Sequence, residues 1–308
     1  MVIKVETDRA VQEDIEDFLQ YLRVGDTAKK RHTSRNTVLA YRNDVEQFAA
    51  YLHQQGFNSW DVTPLDLVNY KRDLDNRYAK ASTRARKIAS VRALYRFLHQ
   101  EQRIQRDPAK MLQLPTPVRR GPEIITVEQL EHLVAAAKVD PEAVGGERAK
   151  QQRDFAMLLL LSSAGLLASE VVALDVEDVT PTAVHVRSAN RGRTVALEPA
   201  IADILAEYIH VSRPFIVISL EECALFVNAR GGRLTRQGFW LIIKHYAHKA
   251  GLDSVSPRLL RHSCAAQKLQ EGAELTNVQR LLGHAHMSST RAYVHPRLIE
   301  TGEAGSGA

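Results

Sequence analysis

The stretch SPRLLRHSCAAQKLQEGAELTNVQRLLGHAHMSSTRAYVHP, residues 256–296, gathers several candidate reactive side chains in one run of helical periodicity. The apolar spacing predicts three helices, at 258–271, 275–282 and 288–295. In the first of them, Arg258 and Arg261 are three residues apart, so both side chains project from one face. The pattern therefore predicts a pair of guanidinium groups on one side of a helix.

Glycine and serine residues predict where these helices end and begin. Gly283 is typical of a left-handed helix cap, which leaves His284 on the rim just beyond the helix end. Ser288 and Ser289 are candidate caps for the next helix, which then presents Tyr293 a little over one turn from its start.

An arginine, a histidine and a tyrosine that converge on one cleft suit phosphoryl transfer. Arginine clamps non-bridging oxygens and histidine donates to them or moves a proton, while a tyrosine hydroxyl of pKa about 10 attacks only when such charge surrounds it. Taken singly, each residue has a plainer explanation, because tyrosines near helix ends usually pack and a glycine commonly stops a helix. Tyr293 is therefore either a nucleophile or a packed aromatic, and its partners decide between the two.

Composition predicts a globular, two-domain protein. The chain has 308 residues, of which 44% are hydrophobic and 25% charged. No uninterrupted apolar run approaches the roughly 18 residues of a membrane span, and the acidic N-terminus lacks a secretory signal, so a cytoplasmic protein without membrane contact is expected. Cys223 and Cys264 show no CxxC or Cys/His spacing, so neither a disulfide nor a metal site is expected.

Periodicity predicts a mainly α fold with a small β-sheet, of the α+β class. Apolar residues recur at three- and four-residue steps from 9 to about 105, which predicts a bundle of four or five short helices. Ser34 precedes the second of these helices, and Thr63-Pro64 opens the third. Farther along, residues 179–198, VTPTAVHVRSANRGRTVALE, alternate as two or three short strands with a turn at 188–192. Helices are also predicted at 199–210 and 235–250.

Four prolines within residues 104–125 interrupt the periodicity and indicate a boundary. We therefore predict a helical domain at 1–115, a linker at 116–122, a second domain at 123–300 and a disordered tail at 301–308.

Positive charge is concentrated in the first domain. Residues 27–117 carry 17 Lys and Arg against 8 Asp and Glu, an excess of nine, whereas the remainder of a chain of net charge +5 carries −4. A polyphosphate partner selects such a domain, although a solvated helical surface looks similar. We expect phosphate contacts from the basic side chains of the third and fourth helices, namely Lys71, Arg72, Arg84, Arg86, Lys87, Arg92 and Arg96.

The chain resembles the tyrosine recombinase (phage integrase, Xer-like) family over nearly its whole length. The first domain matches that family's core DNA-binding pattern at Ser34, Thr37, Tyr41, Asp44 and Phe48. The second domain resembles its catalytic domain in RDFAMLLLLSSAGLLASEVVALDVEDV, LFVNARGGRLT and the C-terminal stretch. The resemblance implies a SAM-like DNA-binding domain and a catalytic domain that form a C-shaped clamp on duplex DNA. It also implies strand exchange through a 3′-phosphotyrosyl bond, without metal or nucleotide cofactor.

Half of the family's catalytic set is present. By position, Tyr293 matches the nucleophile, Arg261 the second clamping arginine and His284 the second histidine. The resemblance also places Arg187, Arg191, Arg193, Arg233 and Arg236 among the residues expected to contact DNA.

The other half is substituted. Leu167, in Gly-Leu-Leu, stands where the family has its first clamping arginine, and Arg258 replaces a histidine. Ala189 lies nearest to the catalytic lysine, in a hairpin one residue short. An alternative alignment leaves room for a cation from elsewhere, such as Lys80 or Arg153, to enter the site.

These substitutions predict weak or absent cleavage with retained binding. Losing one preorganised donor costs about 2.7–4 kcal/mol, and losing a general acid costs about 10²–10⁴ in rate. Our leading hypothesis is a site-specific DNA-binding protein that is impaired in autonomous cleavage. The alternatives are an active recombinase that uses Tyr293, and a helical protein-interaction module without DNA binding.

The expected partner is double-stranded DNA, which makes the expected location cytoplasmic and nucleoid-associated. A homologous recombinase subunit is a second candidate partner. Only 15 residues follow Tyr293, fewer than a docking helix needs, so self-assembly on DNA is expected to be weak.

Overall fold

The computed structural model describes residues 9–24, 33–114, 121–187, 192–219 and 221–298. The chain divides into two compact units, Met1–Arg119 and Arg120–Ala308. Each unit has its own hydrophobic core. The prediction of a mainly helical protein with small sheets is confirmed. The predicted tail and most of the predicted linker lie outside the described residues.

The described part of the first unit contains four helices: α1 (Arg9–Val24), α2 (Arg35–Gln54), α3 (Pro64–Arg77) and α4 (Ala81–Gln100). Local caps set two of the helix starts. The Ser34 hydroxyl accepts a hydrogen bond from the Thr37 amide at α2, and Thr63 and Asp66 form a reciprocal capping box at α3. Both starts agree with the sequence prediction.

A buried carboxylate fastens α2 to α4. Asp44 is fully buried and accepts hydrogen bonds from Lys87 Nζ at 3.1 Å and Ser90 Oγ at 2.8 Å. Arg86 forms an ion pair with the same carboxylate. Lys87 is only 2% exposed, so its ammonium group stabilises the core of the bundle. This burial contradicts the expectation that Lys87 contacts phosphate.

The second unit is a helical assembly with two small sheets. Its helices are α5 (Val127–Ala136), α6 (Gly145–Ala164), α7 (Ala168–Val171), α8 (Pro199–Glu207), α9 (Arg236–Lys249), α10 (Pro257–Gln270), α11 (Leu275–Leu282) and α12 (Met287–Arg291). Its strands are β1 (Glu123–Ile124), β2 (Val179–Thr180), β3 (Ala183–Val186), β4 (Arg193–Ala196) and β5 (Arg297–Leu298). Among the described helices of both units, none combines the length and apolarity that a bilayer crossing requires.

The two sheets differ in how far apart their strands lie in the chain. Strands β2, β3 and β4 form an antiparallel meander, as the alternation predicts. Strands β1 and β5 pair in parallel, with Glu123 opposite Arg297 and Ile124 opposite Leu298. Ile125 directly follows β1, and its amide donates a hydrogen bond to Ser263 Oγ on α10, so the chain after Tyr293 is held against the core of the unit.

The last helix starts earlier and ends sooner than predicted. Helix α12 begins at Met287 with His286 at the cap position, and no side chain caps it. Ser288 and Ser289 therefore lie inside its first turn, and the prediction that they cap it is wrong. Tyr293 follows α12 in a 3₁₀ turn, Ala292–Val294.

Gly121 is expected to be essential for the β1–β5 pairing. A Cβ at residue 121 would lie 2.1 Å from the His295 carbonyl oxygen, so Gly121→Ala must separate the two segments. We expect it to lower the free energy of unfolding by about 1–3 kcal/mol, the usual cost of overpacking. It should also accelerate hydrogen exchange of the Arg297 amide, which donates to Pro122 O.

Gly146→Ala, inside α6, is the matched control because nothing lies within 4 Å of its added Cβ. It should leave stability unchanged or raise it by up to about 1 kcal/mol. Equal behaviour of the two variants would contradict the role of Gly121.

Candidate active site

Arg261 joins the ends of two helices. The side chain, on α10, is 6% exposed and donates to Gly165 O at 2.8 Å and to Leu282 O at 2.6 Å. Gly165 ends α6 in the left-handed conformation, with φ of 59°, and Leu282 is the last residue of α11. Burial and the nearby Arg193 charge lower the pKa of Arg261, but a guanidinium starts above about 12 and stays charged beside Glu170.

Glu170 on α7 is the acceptor around which the site is assembled. Its carboxylate accepts two hydrogen bonds from the Arg193 guanidinium, at 2.6 and 2.8 Å, and one from the Leu167 amide at 2.7 Å. Arg261 Nη1 lies 3.6 Å from the same carboxylate. Burial alone would raise the pKa of Glu170, but these donors hold it below its ordinary value. Position 167 and Arg261 therefore meet at one carboxylate.

Leu167 contributes only its backbone to this arrangement. Its amide binds Glu170, while the residue as a whole is 45% exposed. An aliphatic side chain offers no charge and no hydrogen bond to an anion, so the site presents an apolar surface here.

Tyr293 is both buried and close to the other candidates. It is 7% exposed and packs beside Val278 and Leu282. Its ring contacts two imidazoles, edge-on to His262 with centroids 5.4 Å apart and parallel to His284 at 6.1 Å. Burial raises the pKa of Tyr293, and the charges of Arg261 and Arg258 oppose that rise. The Tyr293 ring therefore packs in the core and also lies within the candidate site. For the phenolic oxygen to attack, another group must take its proton.

His284 is held as a neutral imidazole. It follows Gly283, whose φ of 66° confirms the predicted left-handed cap. Its Nδ1 lies 2.9 Å from the Thr290 hydroxyl. Burial, with the charges of Arg261 and Arg193, lowers the pKa of His284 to about 4.

Arg258 is exposed, and its nearest polar partner is His262, with Nε and Nε2 3.4 Å apart. Burial and the Arg258 charge lower the pKa of His262. His262, Glu170 and Thr290 were not among the predicted site residues. The sequence signal for including His262 in the site was its position directly after Arg261. Glu170 and Thr290 become evident only from their contacts.

The remaining predicted residues of the second unit are dispersed. The guanidinium of Arg187 binds Asp175, Glu177 and Asp178, and that of Arg233 binds Asp175 and two backbone carbonyls.

Arg193 is held inside the Glu170 cluster, whereas Arg236 is exposed at the start of α9. Ala189 and Arg191 lie outside the described residues. Arg153, a candidate substitute cation, is buried against Asp154 and Val227 O, which commits it to the core.

In the first unit the predicted phosphate contacts fall into two groups. Carboxylates neutralise three of them: Arg84, Arg86 and Lys87. No ion pair within the described ranges involves the other four: Lys71, Arg72, Arg92 and Arg96.

Throughout the described part of the chain, no group of three His, Cys, Asp or Glu side chains is arranged to hold a metal ion.

Comparison with known proteins agrees with the architecture. Residues 123–298 match the model of the phage integrase family, and residues 15–102 match that of the phage integrase N-terminal SAM-like domain. The chain is 38% identical to tyrosine recombinase XerC of Roseiflexus castenholzii over 291 residues, covering 92% of this chain and 89% of that protein. It is 36% identical to tyrosine recombinase XerD of Proteus mirabilis over 268 residues, covering 85% and 83%.

A solved structure shares the fold. The XerH site-specific recombinase bound to palindromic difH substrate superposes with a TM-score of 0.73 at 18% identity, covering 95% of this chain and 94% of that one.

Glu170→Gln is expected to destabilise the second unit strongly. The change leaves Arg193 and Arg261 facing each other without a neutralising charge, so the free energy of unfolding should fall by about 3 kcal/mol. Glu177→Gln is the matched control, because this side chain is 79% exposed and also binds an arginine. The control should shift stability by less than about 0.5 kcal/mol in urea unfolding. Similar losses in both variants would show that the Glu170 cluster does not hold the fold.

His284 should make stability depend on pH. Its folded pKa of about 4 lies below the ordinary 6.5, so the unfolded chain binds the extra proton as pH falls through 6.5. The stabilisation is complete above pH 6.5 and is lost toward pH 4.

Solvent screens this half-buried imidazole, so relative to His284→Gln the wild-type protein should lose less than the limiting value of about 1.4 kcal/mol per pH unit in this interval. Denaturant titrations at several pH values measure the difference. Parallel pH profiles for the two proteins would mean that His284 is not held neutral.

Proposed function

The chain belongs to the phage integrase family, and we propose that it binds duplex DNA site-specifically while its own strand cleavage is impaired. In this proposal residues 1–115 form the core DNA-binding domain and 123–300 the catalytic-type domain, joined at 116–122. The protein would act in the cytoplasm on nucleoid DNA.

The arrangement at Glu170 carries the proposal. The Leu167 amide and the Arg261 guanidinium meet at this carboxylate, so a side chain at 167 projects from the anion-binding part of the site. An arginine there would supply a second fork of donors to the non-bridging oxygens of the pentavalent phosphorane, and leucine supplies none. The loss of one preorganised donor costs about 2.7–4 kcal/mol in the transition state.

Proton transfer is the second impaired step. The departing 5′ oxygen needs an acid, and neither Ala189 nor a guanidinium of pKa above about 12 provides one. Arg187 and Arg193, on either side of the hairpin turn, are also neutralised by carboxylates. Arg258 keeps positive charge near a bound phosphate but cannot exchange protons at neutral pH as a histidine does.

Binding does not need the missing groups. The described part of the first unit retains cations that pair with no carboxylate there, and phosphate contact is electrostatic and independent of the nucleophile. The XerH structure is bound to difH substrate, and another structural neighbour is a lambda integrase dimer bound to a core site. By analogy we propose duplex DNA as the partner, with weak self-association or a homologous recombinase subunit on the same site.

A second candidate function is an active recombinase with an altered site. The contact of the Tyr293 ring with two imidazoles, those of His262 and His284, favours it, because a neutral imidazole that turned toward the phenolic oxygen would accept its proton. In this case Arg258 would take part of the role of the missing clamp.

Trapping of covalent DNA separates the two candidates. A binding site is first selected from a random duplex pool, then nicked so that the fragment leaving after attack diffuses away. The wild-type protein should bind this substrate tightly and salt-sensitively but give no covalent band after denaturation. The triple variant Leu167→Arg, Ala189→Lys and Arg258→His should give a band that Tyr293→Phe abolishes.

A Tyr293-dependent band from the wild-type protein would overturn the proposal that cleavage is impaired and would support an active recombinase. Salt-insensitive binding, or no selection of duplex sites, would contradict both and leave a protein-interaction module.

A further inference from the structure

Two imidazoles contact the Tyr293 ring, and a neighbouring side chain engages one nitrogen of each. His262 Nε2 lies 3.4 Å from Arg258 Nε. His284 Nδ1 lies 2.9 Å from the Thr290 hydroxyl. A neutral imidazole has one N–H group, which donates, and one nitrogen with a lone pair, which accepts. The two contacts therefore determine which nitrogen of each ring is able to take a proton.

Arg258 fixes the tautomer of His262. A guanidinium has five N–H donors and no acceptor, so the nitrogen that faces it, Nε2, is the acceptor of the ring and the hydrogen lies on Nδ1. Burial and the Arg258 charge lower the pKa of His262, which keeps the ring neutral, although a backbone hydrogen bond with Glu123 opposes them. Only an accepting carbonyl raises the pKa of an imidazole, so Glu123 O is the partner that suits the Nδ1–H group.

Thr290 fixes the tautomer of His284 in the opposite sense. Thr290 is fully buried, and within the described part of the chain His284 Nδ1 is the one hydrogen-bond partner of its hydroxyl. If Nδ1 carried the hydrogen, the hydroxyl proton would be buried without an acceptor, which is costly. The hydroxyl therefore donates to Nδ1, and His284 carries its hydrogen on Nε2.

The main chain of His284 is held as well. Its amide donates to Gln279 O at 3.1 Å, and its carbonyl accepts from Gln279 Nε2 at 3.0 Å. With both its backbone and Nδ1 bonded, the imidazole has little freedom to turn its lone pair toward another group.

We propose that Arg258 and Thr290 occupy the lone pairs of both imidazoles that contact Tyr293, so that neither imidazole takes the phenolic proton. Attack would join the phenolic oxygen to phosphorus, break the bond to the 5′ oxygen and release that proton, which needs a free lone pair. Both rings instead offer only an N–H group. Arg258 is thus a positioning residue that withdraws His262 from proton transfer, in addition to lacking a histidine's own ability to transfer protons. The inference rests on the proposed impairment of cleavage and deepens it.

NMR of the full chain labelled with nitrogen-15 histidine measures the two tautomers without DNA. The signals of each ring are those lost in His262→Gln and in His284→Gln. We expect long-range proton–nitrogen correlations typical of Nδ1–H for His262 and of Nε2–H for His284. Nε2–H on His262, or Nδ1–H on His284, in the wild-type protein would overturn the proposal.

The direction of a pKa change tests the role of Thr290. A hydroxyl that donates to Nδ1 stabilises the neutral ring, so Thr290→Val should raise the pKa of His284 from about 4, and Thr290→Ser should leave it unchanged. A hydroxyl that accepts from Nδ1–H would give the opposite sign, because its loss would lower this pKa. A lower or unchanged value in Thr290→Val would therefore overturn the assignment. If Thr290→Val does not fold, the wild-type tautomers decide.

Covalent trapping on the selected nicked duplex tests the role of Arg258. The background is Leu167→Arg with Ala189→Lys, which restores a clamping group and an acid. Adding Arg258→Met, which neither donates nor accepts a proton, should raise the trapping rate at least about tenfold, because a general base contributes about 10²–10⁴. This gain should disappear in His262→Gln. If residue 258 mattered only as a missing histidine, methionine would bring no gain.

Arg291→Met in the same background is the matched control, because it removes one charge from an exposed position on α12 and should leave the rate unchanged. Equal or slower trapping by Arg258→Met, or a gain that survives His262→Gln, would overturn this proposal while leaving the impaired cleavage intact. Covalent product from the wild-type protein would overturn the proposed function itself. If none of the proteins forms product, the tautomers still support or reject the blocked lone pairs, because they are measured without DNA.

Discussion

The second unit depends on one interaction, the meeting of Arg193 and Arg261 at the carboxylate of Glu170. Arg261 donates to the carbonyls that end α6 and α11, and Arg193 Nε donates to Leu281 O. Glu170 brings α7 and β4 into the same cluster. Helix ends leave unpaired carbonyls, and here two guanidinium groups satisfy three of them. Two buried cations this close together are tolerable only because a carboxylate lies between them, which explains why five elements converge at this point.

The first unit also has a buried charge surrounded by groups of opposite charge, but here the central group is the anion. Asp44 is a buried anion that Lys87, Arg86 and Ser90 surround, and it locks α2 to α4. The net charge of this domain therefore overstates the number of cations that are able to bind a polyanion. The useful quantity is the number of cations without a carboxylate partner, and those of α4 lie toward its C-terminal end.

The sequence predicted features that depend on neighbours in the chain. Helix starts at Ser34 and Thr63, the cap at Gly283 and the meander of β2, β3 and β4 each follow from a few adjacent residues. The errors occurred where distant partners decide. Lys87 appeared to be one more surface cation until Asp44, 43 residues earlier, buried it. Glu170 gave no local signal, because its partners at 193 and 261 are far along the chain. The start of α12 was misplaced because Ser288 and Ser289 suggested a local cap, whereas the helix begins at Met287 without a side-chain cap.

The candidate site likewise divides into side chains that the fold needs and side chains that it does not. Arg261 cannot be lost without leaving Glu170 and two helix-end carbonyls short of donors, at a cost of several kcal/mol in the fold. Tyr293 and His284 are likewise packed, one inside an apolar cluster and the other against Thr290. The side chains of Leu167 and Arg258 are exposed and satisfy no buried group. Stability therefore preserves the first set whether or not the protein cleaves DNA. In the proposed function, only catalysis would select particular side chains at 167 and 258, so these two positions would report on chemistry, whereas the buried ones report largely on folding.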